Sequence, residues 1–180
     1  MRKPFFAFRS VIGIAALAAC LMALASCQSI KFAPKPASAS AAMLVIPLEF
    51  KNKSDRQLRL QLDLKYDSVH DSKTGNLIDF DKDYAFITEV KPGSHRITQI
   101  LVRWETSGQI LKQWENNIPF ILSPGQYTIL PVRFSVTLMP DGNYFSFYNL
   151  LPDQIAVVRA DLNKYRNIES WTEAPAETAK

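Results

Sequence analysis

The chain has 180 residues, with 21 Lys and Arg against 17 Asp and Glu, two Cys and six Gly. Arg2, Lys3 and Arg9 open the sequence, so the other 18 basic residues nearly balance the 17 acidic ones, and the body carries no electrostatic footprint for nucleic acid. Gly75, Gly93, Gly108, Gly125 and Gly142 all fall in turn-like stretches such as Lys73-Thr74-Gly75-Asn76, which leaves none to cradle a phosphate and argues against nucleotide chemistry.

After the basic opening, Ser10 to Ile30 carries no charge at all, the pattern of an export signal with a basic n-region and an apolar h-region. A run of that length permits either a leader that is cut away or a retained membrane helix of about 20 residues. Six alanines between Val11 and Ser26, with the small pair Ala25-Ser26 at the end, favour cleavage. The next residue is a cysteine, Cys27.

Leu24-Ala25-Ser26-Cys27 resembles the bacterial lipoprotein lipobox at all four positions. The resemblance implies removal of residues 1–26, a diacylglyceryl group on the Cys27 sulfur and an acyl chain such as palmitate on the new amino terminus. Two or three buried chains make release from a bilayer negligible, so no spanning helix is required. Cys20 follows a much shorter apolar run, which makes Cys27 the preferred site. In that family an Asp after the cysteine favours the inner membrane, so Gln28 implies an outer-membrane address in a two-membrane envelope, periplasmic or surface face unspecified. With one cysteine removed and the other acylated, no disulfide remains, and the fold must rest on its core.

Residues 27–42 read as the lipidated cysteine and a flexible tether, since Gln28 to Ala42 is rich in Pro, Ser and Ala and poor in core formers. Fully stretched, such a segment reaches roughly 50 Å. The 138 residues after Ala42 suffice for one domain, 43–171, with a tail at 172–180 of tether-like composition.

Within the domain, Leu58, Leu60, Leu62, Leu64 and Tyr66 alternate with Arg59, Gln61, Asp63 and Lys65, which predicts a half-buried strand. Leu130, Val132, Phe134, Val136 and Leu138 form a second such run, with Pro131 marking an edge or bulge. Weaker runs cover Met43 to Phe50, Tyr84 to Val90, Arg96 to Thr106, Ile110 to Trp114, Ile118 to Leu122 and Tyr144 to Tyr148. The expectation is a mainly β fold, an antiparallel β-sandwich of about seven or eight strands. Leu151, Ile155, Val158, Leu162 and Tyr165, with Pro152 and Asp153 at the start, predict a helix over about 152–167 packed on the sandwich; the rival is a ninth strand, since Ile155 and Val157 also alternate.

Val90 to Ile97 and Leu122 to Ile129 form a weak repeat in which Pro92-Gly93 and Pro124-Gly125 each precede a strand, and Pro-Gly predicts a type II turn at both corners. Leu122-Ser123-Pro124-Gly125-Gln126-Tyr127-Thr128-Ile129 resembles the corner of transthyretin-like and carboxypeptidase-regulatory-like Ig-type sandwiches. That resemblance covers one hairpin corner and implies fold only.

For chemistry, the alternating carboxylates Asp79, Asp81 and Asp83 are weak metal candidates: an EF-hand starting there has Tyr84 where Gly is needed and Val90 where Glu is needed. A solvated acidic loop is the simpler account. His70 and His95 are too few for a closed zinc site without cysteine, though the pair with a carboxylate such as Asp71 could in principle hold a metal; Ser94 beside His95 points to the opposite face of a strand. No G-x-S-x-G elbow is present. The run Tyr144 to Tyr148 is apolar on both faces; burial of Tyr144 and Tyr148 under the terminal helix is the favoured reading, an exposed contact patch the other. Trp104 and Trp114, flanking the Glu105 to Gln109 turn, are either cross-strand core partners or a platform for a ligand or partner.

The functional expectation is a lipid-anchored, non-catalytic envelope module that binds another envelope protein, with no cofactor and no nucleic acid. A carrier of a small apolar or carbohydrate ligand is the alternative, with a metal-dependent or hydrolytic envelope enzyme last.

Overall fold

Among the described residues of the computed structural model, nine strands, β1 to β9, run between Met43 and Asn149, followed by one helix and a short tenth strand. The structure describes residues 31–53, 60–68, 76–79, 83–88 and 90–175. The strands are β1 Met43–Asn52, β2 Leu60–Ser68, β3 Asn76–Asp79, β4 Tyr84–Ile87, β5 Gly93–Trp104, β6 Ile110–Leu122, β7 Gln126–Ile129, β8 Val132–Met139, β9 Gly142–Asn149 and β10 Thr172–Glu173, with α1 at Pro152–Leu162. They form two sheets. One is built on β1 and holds β4, β7, β8, β9 and β10; the other has the order β3, β2, β5, β6.

The run Met43–Leu48 is apolar without alternation because β1 is buried on both faces. Leu44, Ile46 and Leu48 enter a main core shared by both sheets, with Leu62 and Leu64 from β2, Ile100 and Val102 from β5, and Phe134 and Val136 from β8. Met43 and Val45 point the other way, into a second cluster with Val158 and Leu162 of α1, Tyr84, Tyr127 and Tyr165. The helix therefore covers the outer face of the first sheet around the first half of β1.

The antiparallel expectation needs correction for this sheet. β1 pairs in parallel with β7 and with β8, and β7 pairs in parallel with β10. Parallel neighbours need a long crossover, and here the whole second sheet lies in the chain between β1 and β7. Val45 faces Ile129 and Leu48 faces Phe134, so β7–β8 spends two more residues than β1 over this interval, at Leu130-Pro131. The proline thus sits at an irregularity in the ladder, where its missing N–H costs nothing. β8 keeps strict alternation, with Val132, Phe134, Val136 and Leu138 buried.

Ile110–Leu122 is one continuous strand, rather than the two pieces its sequence suggests, paired to β5 with irregularities. At the second Pro-Gly corner Gly125 has φ +72° and the Gln126 N–H donates to the Ser123 carbonyl at 3.2 Å, as a type II turn requires. The first corner differs: Gly93 has φ +145° and already belongs to β5, so the two halves of the repeat do not share a turn.

The predicted helix forms but ends at Leu162. Pro152 occupies the first turn, and the Gln154 side chain accepts from the Leu151 N–H at 2.9 Å, satisfying one orphan donor. Leu151 stands at the helix entrance and is exposed, which removes it from the predicted apolar stripe. Beyond the helix, Tyr165 packs edge-on against Tyr84 and Phe86, and Asn167 at φ +70° turns the chain into a short 3₁₀ turn, Ile168–Ser170. Asparagine is one of the few side chains that accepts this conformation readily.

Two segments expected to be loose are held to the body. From Phe32 onward the tether reading does not survive: Ala33 is only 2 % exposed, its N–H donates to the Arg166 carbonyl at 2.9 Å, Asn167 Nδ2 donates to the Ala33 carbonyl at 3.2 Å, and Trp171 Nε1 donates to the Pro34 carbonyl at 2.7 Å. The tail reading is likewise corrected at its start, since Thr172–Glu173 pairs with β7 and the Ala174 N–H donates to the Tyr127 carbonyl at 2.8 Å. In both places composition was outweighed by specific backbone partners far away in the chain.

Candidate interaction surface

β9 alternates with β8, and its two faces have different fates. Phe145 and Phe147 face inward onto the main core, Phe147 meeting Trp114 of the second sheet edge-to-face at 5.6 Å. Tyr144 and Tyr148 face outward and are 60 % and 38 % exposed. Burial under the helix, the favoured reading from sequence, is thus overturned. α1 lies over β1, while the tyrosines stand on the opposite edge of the sheet.

Register builds the surface around them. Tyr148 lies opposite Arg133, Ser146 opposite Ser135, and Tyr144 opposite Thr137. On the other side of β8, Glu49 is aligned with Ser135 and Lys51 with Thr137. The middle row, Glu49, Ser135 and Ser146, is short and polar, and it runs between the two rows that end in tyrosine. Four positions apart along the strand, Tyr144 and Tyr148 stand roughly 13 Å from each other, walls on either side of a polar floor.

The charges here are partly neutralised internally. Ser135 Oγ donates to Glu49 Oε2 at 2.8 Å, and Lys51 Nζ lies 2.7 Å from Glu49 Oε1. Lys51, and then Ser135, hold the Glu49 carboxyl below its usual range. Tyr84, on the far edge, is pushed up by burial and then by its hydrogen bond to Asp161, and the charge of Arg133 opposes that shift. Polar groups held this way are available to a neutral or mildly charged surface at low desolvation cost.

Trp104 and Trp114 do not join this site. Both are half-buried and pack on the main core, on the inner side of their sheet. They are not cross-strand partners either, since Ile100 faces Trp114. Lys112 Nζ lies 5.7 Å from the Trp114 ring centre.

Of the metal candidates, Asp81 lies outside the described residues, Asp79 contributes its backbone to the β2–β3 ladder, and Asp83 is exposed just before β4. Among the described residues no group of three or more His, Cys, Asp or Glu is placed to hold a metal ion. His70 and Asp71 also lie outside the described residues. His95 is buried, stacked on Phe120 at 5.2 Å, with Nε2 2.7 Å from the Lys91 carbonyl oxygen, while Ser94 is exposed on the other face of β5. These contacts give His95 a packing role. No helix among the described residues is long and apolar enough to cross a membrane.

Sequence reasoning singled out the two tyrosines but missed Glu49, Arg133, Ser135 and Ser146. Alternation marks Arg133 and Ser135 as outward-facing. What it lacks is the identity of the strands on either side of β8. No protein-family model, curated protein or solved structure matches the chain.

Proposed function

We propose that this protein is a lipid-anchored cell-envelope lipoprotein, fastened through Cys27 to the outer membrane, whose two sheets form an Ig-like β-sandwich serving as a non-catalytic binding module. The observation that carries the binding role is the pair Tyr144 and Tyr148, exposed beside a polar floor on a part of the sheet that the helix leaves uncovered. Rigid aromatic anchors around polar groups are what a protein partner typically engages. The occupant is another envelope protein. A carbohydrate ligand is the second reading, favoured by the row Glu49, Ser135 and Ser146 between tyrosine walls, since rings flanking hydrogen-bonding groups suit a sugar.

The test is photo-crosslinking in intact cells from a reactive side chain placed at Tyr148, with one at exposed Gln113 on the second sheet as control. A protein adduct formed from position 148 and absent from 113 supports the reading. Recovery of the protein alone from both, at good expression, overturns it, and binding of the purified domain to an envelope glycan that is lost in Tyr144→Ala moves the assignment to carbohydrate. For the anchor, Cys27→Ala should leave the protein soluble after cell lysis; continued membrane retention would instead mean that the leader remains as a spanning helix.

A further inference from the structure

We infer that the side of the domain carrying α1, Phe32 and Arg166 rests against the phospholipid headgroups, so that the anchor orients the body as well as retaining it. The inference rests on lipidation of Cys27. Only five peptide steps separate Cys27 from Phe32, and the chain is held to the body from there on by the bonds to Arg166, Asn167 and Trp171. Five residues span at most roughly 17 Å. A tether of fifteen free residues would let the domain tumble clear of the surface, whereas this one keeps the Phe32 end within reach of the headgroup layer.

The chemistry of that end suits the position. Phe32 is 57 % exposed, with the Arg166 guanidinium 5.9 Å from its ring centre. Lys35 and Lys164, close in the chain to Phe32 and to its bridge partner Arg166, are exposed as Arg166 is, Lys31 precedes Phe32, and the acidic groups nearby in sequence are Asp161, already paired with Lys164 at 2.9 Å, and Glu169. An exposed aromatic ring beneath a guanidinium, with further basic residues close by in the chain, matches an interface whose outer layer is anionic and whose inner layer is apolar. Val157 and Leu151 are also exposed along α1.

The test uses the full chain, processed in a bacterium and reconstituted into vesicles of phosphatidylethanolamine and phosphatidylglycerol, 3:1, doped with a headgroup-labelled quencher lipid. Asn163→Cys and Gln113→Cys, both at exposed positions, each supply one free thiol for a fluorophore once Cys20 has left with the leader and Cys27 is acylated. Quenching at 163 is expected to exceed that at 113 several-fold, and Lys35→Glu with Arg166→Glu should reduce the difference. Equal quenching at the two positions, with intact mass showing acylated Cys27, overturns the orientation and leaves the lipoprotein reading standing. An unmodified Cys27 in the native product overturns both.

Discussion

Replacing Trp171 by Phe keeps a ring in the second core cluster but deletes the Nε1–H that donates to the Pro34 carbonyl at 2.7 Å. A neutral hydrogen bond of this kind stabilises by about 1 kcal/mol net, which is roughly a five-fold change in an equilibrium constant. Asn167→Gly retains a residue at ease with φ +70° and deletes the Nδ2 donor to the Ala33 carbonyl, for a similar effect. Together the two should raise the opening equilibrium of the 32–42 segment about 30-fold, less whatever coupling exists between such close sites. The Ala33 amide, bonded to the Arg166 carbonyl, is the probe, because exchange of its hydrogen requires that segment to open. Amides of β8 serve as the control for global unfolding. The reasoning is refuted if Ala33 exchanges as slowly in the double variant as in the parent, or if β8 accelerates by the same factor, which would mean that the segment opens only when the whole domain does.

Phe134 is 2 % exposed in the main core, so Phe134→Ala should cost about 3–5 kcal/mol, read as a lower urea midpoint at unchanged slope. Tyr144→Ala with Tyr148→Ala, at exposed positions, should alter stability by no more than about 1 kcal/mol, and Tyr144→Ala alone should weaken the photo-crosslink formed from position 148; a collapse of the melting temperature would show that the rings are structural. Burial, and then the Glu173 carboxylate, raise the Tyr127 phenol to about 12. The fold therefore favours the neutral phenol: this stabilisation is whole below the unfolded value near 10 and is lost as pH climbs from there towards 12, a fall of at most a few kcal/mol. Thermal melts between pH 8 and 11.5 check it, and Tyr127→Phe should flatten the alkaline limb.

Local pattern carried a good part of the architecture. Leu60 to Tyr66 and Val132 to Leu138 declare themselves as strands because side chains on a strand repeat every two residues, and that holds whatever the neighbours are. The helix from Pro152 could be read from its proline, its first-turn aspartate and the spacing of Val158 and Leu162. Length and balanced charge set the expectation of one domain and no nucleic-acid partner, and Leu24 to Cys27 supplied the motif behind the proposed anchor.

Everything that makes the candidate surface was settled by partners distant in the chain. Whether Tyr144 and Tyr148 lie open depends on where α1 comes to rest, and it rests on Met43 and Val45, more than a hundred residues earlier. The Pro- and Ser-rich segment looked unstructured on composition, yet Asn167 and Trp171 hold Ala33 and Pro34 across separations of 134 and 137 residues. The parallel pairing of β1 with β7 and β8 is of the same kind. A sequence displays the period of each element, which is local, but the choice of neighbour is decided by the burial gained when all elements close together, and no window of the chain contains that quantity.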